Sequence, residues 1–286
     1  MSSVLHLTDP HFGTEQPAVV AALERLIAAS QPQVVLVGGD ITQRARRGQF
    51  ERAAEFVARL PCPTIAVPGN HDIPLFNVWA RVFNPYGNYR RSFGRDLEPS
   101  FESPQFLVLG VNTTRPRRHK DGQVSRTQIR RVQRRLMQAQ PGQICIVMAH
   151  HPVRAKEASD RLNLLHGRQD AVPEWVDGGV DLILGGHIHL PYTLPVQGRT
   201  AGGRHAWVVQ AGTAVSHRVR GDVPNSVNII EYVAGSPPEC EVQRWDYDVK
   251  SDEFRKVTHQ RLVLSPRADP VAMPQLTQEP MEDSTL

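Results

Sequence analysis

Five short apolar runs in this chain each end in a polar cluster, and that recurrence restricts the fold more than any other feature. Val4-Leu5-His6-Leu7-Thr8 ends in Asp9-Pro10-His11, and Val34-Val35-Leu36-Val37 in Gly38-Gly39-Asp40. Thr64-Ile65-Ala66-Val67 ends, past Pro68, in Gly69-Asn70-His71-Asp72. The run 143–149 ends in His150-His151-Pro152, and Asp181-Leu182-Ile183-Leu184 in Gly185-Gly186-His187-Ile188-His189. Continuous β-branched runs of this kind belong to strands buried on both faces, as in parallel sheets. Between the first three lie segments with apolar residues at helical spacing: Val19, Leu23, Leu26 and Ile27 within 17–29, then Phe50, Ala53, Ala54, Val57 and Leu60 within 48–60. Strand, helix, strand, helix, strand predicts a parallel sheet with crossover helices. The site of such a sheet lies at the carboxyl ends of its strands, so Asp9, Asp40 and Asn70 are expected to converge.

The middle of the chain is less regular. A short helix is expected over 75–83, a polar loop with arginines over 86–104, and a strand over 106–111 ending near Asn112. Ser125 and Gln128 have capping-box spacing ahead of a helix. That helix is expected to turn Ile129, Val132, Leu136 and Met137 inward, and Arg126, Arg130, Arg131, Arg134 and Arg135 mostly outward. Another helix is expected near 171–176. The runs 207–210, 227–232 and 240–247 read as antiparallel strands of a second sheet. From Ser265 the chain turns to Pro, Gln, Glu, Asp and Ser, the composition of a disordered tail. The reading is therefore one folded unit over 1–264 and a tail over 265–286.

A chain of 286 residues, 40% hydrophobic and 22% charged, is long enough to bury a sizeable core. No apolar stretch approaches the ~20 residues of a spanning helix. Met1-Ser2-Ser3-Val4 leads straight into a strand, with no secretory signal in view. Cys62, Cys145 and Cys240 are odd in number and lack CxxC spacing, which argues against a disulfide frame or a zinc ribbon. The expected compartment is the reducing cytoplasm. The net charge of +4 is uneven: from Arg115 to Arg135, eight Arg and one Lys face the single acid Asp121. Such a cluster suits an anionic substrate, a membrane surface or nucleic acid, and equally a solvated helix face. No aromatic platform interleaves with the arginines, which makes nucleic acid the least favoured partner. P-loop, HExxH and GxSxG motifs are absent, so NTPase, zincin and serine-hydrolase chemistries lack support.

Set side by side, the five clusters offer the carboxylates of Asp9 and Asp40, the amide oxygen of Asn70, and the imidazoles of His11, His150, His187 and His189. His71 is left over, and an imidazole titrates near neutrality. The spacing of two in Asp9-x-His11 and His187-x-His189 places both side chains on one side of an extended segment, so one metal is expected to take both from a single edge. Imidazole with carboxylate suits Mn, Fe, Zn or Co, and the lack of thiolate argues against a structural zinc site. Seven donors exceed one ordinary site and suit two, with Asp40, the lone acid after two glycines, as the bridge. Two divalent ions against two Asp leave a positive site, which favours a phosphate ligand. His6, inside the first strand, reads as structural. Asn112 does too. His151 is a lesser candidate for contact with substrate or ligands, and Asp72 reads as a helix cap. His217, beside Arg218 and Arg220, is a minor candidate for a pocket rim.

The order D-x-H, G-D, G-N-H-D, a His before a proline-containing turn, and G-H-x-H, running from Asp9 to His189, resembles the calcineurin-like metallophosphoesterase superfamily. Overall length and the opening Leu5-His6-Leu7-Thr8-Asp9-Pro10-His11 are most similar to its bacterial class III cyclic-nucleotide phosphodiesterase branch. The resemblance implies an α/β fold in which a sandwich of two β-sheets is flanked by helices. It implies one metal held by Asp9, His11, Asp40 and His189, and another by Asp40, Asn70, His150 and His187. His71 is then the group that contacts the phosphate and protonates the leaving oxygen. The expected activity is dinuclear metal-dependent hydrolysis of a small-molecule phosphodiester, such as a cyclic nucleotide, by attack of metal-bound hydroxide. The alternative is a pyrophosphohydrolase of a nucleotide-sugar lipid of the UDP-diacylglucosamine type at the membrane face, with Arg115 to Arg135 meeting anionic lipid. The complete donor set disfavours a non-enzymatic scaffold on the same fold.

Overall fold

The doubly apolar strands are buried on both faces, and each face meets a different partner. A computed structural model describes residues 2–200, 202–233, 235 and 239–266. In chain order the elements are β1 (Ser3–Leu7), α1 (Pro17–Ser30), β2 (Val35–Val37), α2 (Arg47–Ala58), β3 (Thr64–Ala66), α3 (Val78–Phe83), α4 (Gly87–Phe93), β4 (Ser100–Glu102) and β5 (Phe106–Val111). There follow α5 (Arg126–Leu136), β6 (Ile144–Ala149), α6 (Arg168–Asp177), β7 (Leu182–Gly185), β8 (Tyr192–Gln197), β9 (His205–Gln210), β10 (Ser226–Val233), β11 (Glu239–Asp248) and β12 (Glu253–Val263). One sheet has the order β12-β11-β10-β1-β2-β3 and the other β4-β5-β6-β7-β9-β8.

Alternate residues of one strand enter different cores, as the period of two requires. On β1, Leu5 and Leu7 pack with Leu23 and Phe50 of α1 and α2, while Val4 packs against the other sheet. On β6, Cys145 and Val147 meet Ile129 and Trp175 of α5 and α6, while Ile146 and Met148 face Val4 and Leu36. The layers are therefore helix, sheet, sheet, helix. β1, β2 and β3 run parallel, and so do β5, β6 and β7. Their carboxyl ends collect at one edge of the sandwich, as expected.

Four expectations need correction. The run 207–210 does not join the later strands: β9 pairs parallel with β7. β10 and β11 are antiparallel, yet they form no sheet of their own, because β10 pairs with β1 and extends the first sheet. The polar loop over 86–104 holds α4 and β4, with Tyr89 buried and its hydroxyl donating to the Ala66 carbonyl at 2.6 Å. Met137 is 69% exposed, because α5 ends at Leu136 and the next residue turns off its buried stripe. The capping box of Ser125 and Gln128 is formed as predicted. At the far end, Ser265 is held to the body through His205, and residues 267–286, most of the expected tail, lie outside the described residues.

Candidate metal centre

The site is built from turns that sheet geometry alone does not favour. Asp9, His11, Asp40, His187 and His189 all have positive φ, between 46° and 71°. The expectation of extended Asp-x-His and His-x-His segments is therefore wrong. Non-glycine residues take this conformation when surrounding bonds over-determine it. Here Asp9 N–H donates to the Gly39 carbonyl and His11 N–H to the Asp40 carbonyl, each at 3.0 Å. The two glycines that end the loops allow contact without a side chain. A Cβ on Gly69 would lie 2.2 Å from Asp40 Oδ1, and one on Gly186 would lie 2.5 Å from Asp9 Oδ2.

These turns bring Asp9, His11, Asp40, Asn70, His150, His187 and His189 to one place, in two groups that share Asp40. In the first, Asp9 Oδ1 lies 3.2 Å from His189 Nε2 and 3.8 Å from His11 Nε2, and His11 Nε2 lies 3.8 Å from Asp40 Oδ2. In the second, His150 Nε2 lies 3.3 Å from both Asp40 Oδ1 and Asn70 Oδ1. The His187 ring centroid is 5.2 Å from that of His150. The pair in His187-x-His189 is divided: His189 joins Asp9 and His11, and His187 joins His150.

The donors fit cations. Two ligands about 2.1 Å from a metal, at 90° to 109°, sit roughly 3.0–3.4 Å apart, which matches most of these separations. Asp9 Oδ1 is buried and accepts no hydrogen bond, although Asp9 Oδ2 accepts from Thr8 Oγ1 and from the His187 N–H. A carbonyl only accepts, so each imidazole nitrogen facing one must carry a proton. His150 Nδ1–H donates to Gly38 O, His189 Nδ1–H to Arg218 O and His71 Nδ1–H to Gln43 O. In the neutral ring that fixes the tautomer and leaves Nε2 as the atom available to the site.

The electrostatics show the same demand for positive charge. Burial opposes charge on His150, yet Asp40 outweighs it and carries the imidazole up to about 9. His189 is raised as well, against burial, by Asp9. Burial also opposes charge on the two carboxylates, but His189 holds Asp9, and His150 holds Asp40, below the usual range. His11 goes the other way: burial pushes it down to about 3 despite Asp40 and Asp9. Burial, then His150, takes His187 down to about 4.

The neighbours divide into supports and pocket lining. His151 accepts from Thr113 Oγ1 at Nδ1 (2.7 Å) and donates from Nε2 to the Lys120 carbonyl (2.9 Å), so both nitrogens are engaged and the ring packs beside His187. Asp72 does not cap the next helix. Its carboxylate accepts from the N–H groups of Ile41, Thr42 and Gly69, tying the Asp40 loop to the Asn70 turn. Burial and then Asp40 raise it to about 6. Asn112 is structural as expected, its Oδ1 accepting from Thr114. His6 is buried between the sheets with neither ring nitrogen bonded, and burial pushes it down to about 4.

His71 stands at the mouth, its N–H donating to Asp40 Oδ1 at 2.8 Å. A cavity of about 600 Å³ opens there, reaching His119, Lys120, Asn163 and Arg218. Arg218 is the residue that motif reading missed. Its Nη1 donates to Gln43 Oε1 at 3.0 Å and lies 3.4 Å from His71 Nε2. Only its place beside His217 drew notice to it, and His217 itself is exposed. Arg220 is committed to Asp160 at 2.8 Å. The basic segment divides too. Arg126 pairs with Asp170 and Glu174, Arg131 with Glu98 and Arg135 with Glu102, so much of the α5 face is already neutralised within the chain.

A helix-sheet-sheet-helix sandwich with His, Asp and Asn clustered at its strand ends fits the metallophosphoesterase class. The family of calcineurin-like phosphoesterases matches residues 2–191, most of the chain, so the chain belongs to that family and is a hydrolytic phosphoesterase. The family implies divalent metal ions at the clustered His and Asp. The chain is 25% identical over 215 residues to a probable cyclic nucleotide phosphodiesterase of Synechococcus sp., covering 69% of this chain and 76% of that one. It is 24% identical over 196 residues to a probable cyclic nucleotide phosphodiesterase of Coxiella burnetii, covering 67% and 75%. Among solved structures, purple acid phosphatase PPD1 from yellow lupin matches with a TM-score of 0.69 at 13% identity; 91% of this chain spans 53% of that chain, about half its length. A dimetal phosphatase from Danio rerio matches with a TM-score of 0.61 at 14% identity, covering 92% and 99%. At such identities the structural matches carry the fold alone.

Proposed function

We propose that the chain hydrolyses a phosphodiester, with a cyclic nucleotide or a similar small molecule as substrate. The observation that carries this reading is the arrangement around Asp40, whose two oxygens face two separate donor groups while its neighbour His71 opens onto the cavity. Asp9, His11, Asp40 and His189 would hold one cation and Asp40, Asn70, His150 and His187 the other. When bound, such a pair supplies a nucleophilic oxygen at neutral pH and offsets charge on the phosphoryl group. Imidazole, carboxylate and amide donors suit Mn, Fe, Zn or Co. The imidazolium form of His71 would face the phosphate with Nε2–H and give that proton to the leaving oxygen, returning to the neutral ring with Nδ1–H anchored on Gln43 O. Arg218 places a guanidinium beside the same point and binds a phosphate oxygen. The cavity beyond has room and polar walls for both arms of a diester. The relatives' names favour the cyclic class. The buried thiol of Cys240, outside any disulfide among the described residues, suits the cytoplasm.

The nucleotide-sugar-lipid reading keeps one specific support: α3, at the same mouth, exposes a row of apolar side chains. Purified chain, loaded in turn with Mn, Fe, Zn and Co, is assayed on bis-p-nitrophenyl phosphate, cyclic nucleotides, monoesters and a UDP-diacylglucosamine-type diphosphate. Hydrolysis of the diesters supports the first reading, and cleavage of the diphosphate alone transfers it to the second. Inactivity on every diester with both ions bound rejects the first.

A further inference from the structure

The segment that leaves the Asn70–His71 turn becomes α3, whose Arg81 lines a small pocket with Asn70, His71 and His119 beside the cavity. Phe76, Val78, Trp79, Val82 and Phe83 are 65–77% exposed, and Trp79 stacks on Phe83 with ring centroids 5.3 Å apart. Leu162, 82% exposed, lies in the chain between Asp160 and Asn163, which line the cavity. Arg81, the one charged residue of α3, turns inward and donates to the carbonyls of Pro74 and Arg118. The outer face of the helix therefore carries no charge. A contiguous apolar face of this kind in a water-exposed position marks a contact site.

What surrounds the face identifies its partner. The guanidinium of Arg44 lies 5.5 Å over the Phe76 ring. Arg117 is exposed next to the Arg118 carbonyl that holds Arg81, and Lys120 lines the cavity. None of these three forms an ion pair among the described residues, unlike Arg126, Arg131 and Arg135 of α5. The face is a projecting helix with cations around it, not a groove. Aromatic and aliphatic side chains at the centre, with Arg and Lys at the rim, match a lipid interface, where rings enter the acyl boundary and cations meet anionic headgroups.

We infer that Phe76–Phe83 is an interfacial anchor that seats the mouth of the catalytic cavity on an anionic phospholipid surface. The cations concerned are Arg44, Arg117 and Lys120; within the span expected from the sequence to meet lipid, Arg126, Arg131 and Arg135 of α5 are held by acids of the chain.

The test uses the full chain and vesicles of phosphatidylcholine alone or mixed with phosphatidylglycerol, read by co-sedimentation without substrate. Its outcome is thus separate from whether any phosphodiester is cleaved. The mixed vesicles are expected to bind the chain. Trp79→Ser with Phe83→Ser, both on the solvent side of α3, is expected to lower partitioning by about ten-fold or more, the scale of two apolar side chains leaving lipid. Arg117→Ala is expected to lower it about five-fold at low salt. Brominated lipid is expected to quench fluorescence in the parent but not in Trp79→Phe. Absence of binding to mixed vesicles overturns the inference, and so does binding that the double variant leaves unchanged. Equal binding to phosphatidylcholine alone overturns the role of the cations. A dimer in light scattering that the double variant abolishes, with no vesicle binding, assigns the face to a second copy instead.

Discussion

Asp40→Asn separates a shared ligand from a merely neighbouring carboxylate. The two side chains have the same shape, so packing is kept while one charge and one acceptor are lost. Asp40 Oδ1 lies 3.3 Å from His150 Nε2 and Oδ2 lies 3.8 Å from His11 Nε2, so each oxygen faces a different donor group. A unit negative charge about 2.1 Å from a divalent ion contributes about 4 kcal/mol even at the dielectric of water. Loss of that charge corresponds to roughly a thousand-fold weaker binding, for each ion that Asp40 touches. The same substitution at a ligand of one site alone would leave the other ion in place. The assay is equilibrium dialysis against manganese at micromolar concentration, followed by elemental analysis of the gel-filtered chain, with circular dichroism to check the fold. The expected result is loss of both ions together. A folded variant that still holds two ions, with affinities within about three-fold of the parent, refutes the bridging role. Loss of only one ion refutes it too.

His71→Gln is expected to keep both ions and to lose turnover by about 10²–10⁴-fold, the range of a positioned general acid; equal metal loss in this variant and in Asp40→Asn would reject that division of roles. Arg218→Gln removes the guanidinium beside His71 Nε2, and inorganic phosphate is expected to inhibit the variant at least about ten-fold less strongly with metal content unchanged; isothermal titration with phosphate measures this, and unchanged affinity would reject a phosphate contact. His6 gives a pH prediction. It stays neutral when folded down to about pH 4 and protonates near 6.5 when unfolded, so its contribution is fully present above 6.5 and is lost as pH falls toward 4. Between pH 7.5 and 5 that loss is about 2 kcal/mol, so urea unfolding of His6→Leu is expected to fall less over this range by that amount; parallel curves for the two proteins would contradict the assignment.

How much was legible beforehand differs from feature to feature. The buried strands, α1 and α2, the capped start of α5 and the donor residues could all be named from the chain. Strand and helix periods are written in neighbouring residues, and an Asp or His just past an apolar run stands where a strand must end. Pairing between distant segments leaves no such local mark. Nothing local in the run of β9 marks its sheet, because it pairs parallel with β7 on one side and antiparallel with β8 on the other. β10 looked like a new sheet, because nothing within it points to β1. Spacing suggests extended Asp-x-His and His-x-His segments, but Asp9, His11 and His187 stand in left-handed turns whose N–H groups bond to other loops. Which imidazole joins which carboxylate follows from those turns and not from spacing. Arg218 and the apolar rim of α3 gained meaning only from what lies beside them. Buried strands, crossover helices and the stock of ligands are written in the residues themselves, because hydrophobic period and residue chemistry act over a few positions, whereas the two-sheet sandwich follows from the family resemblance. Strand order, the division of the donors and the company each arginine keeps belong to tertiary structure, because they depend on contacts between residues far apart in the chain.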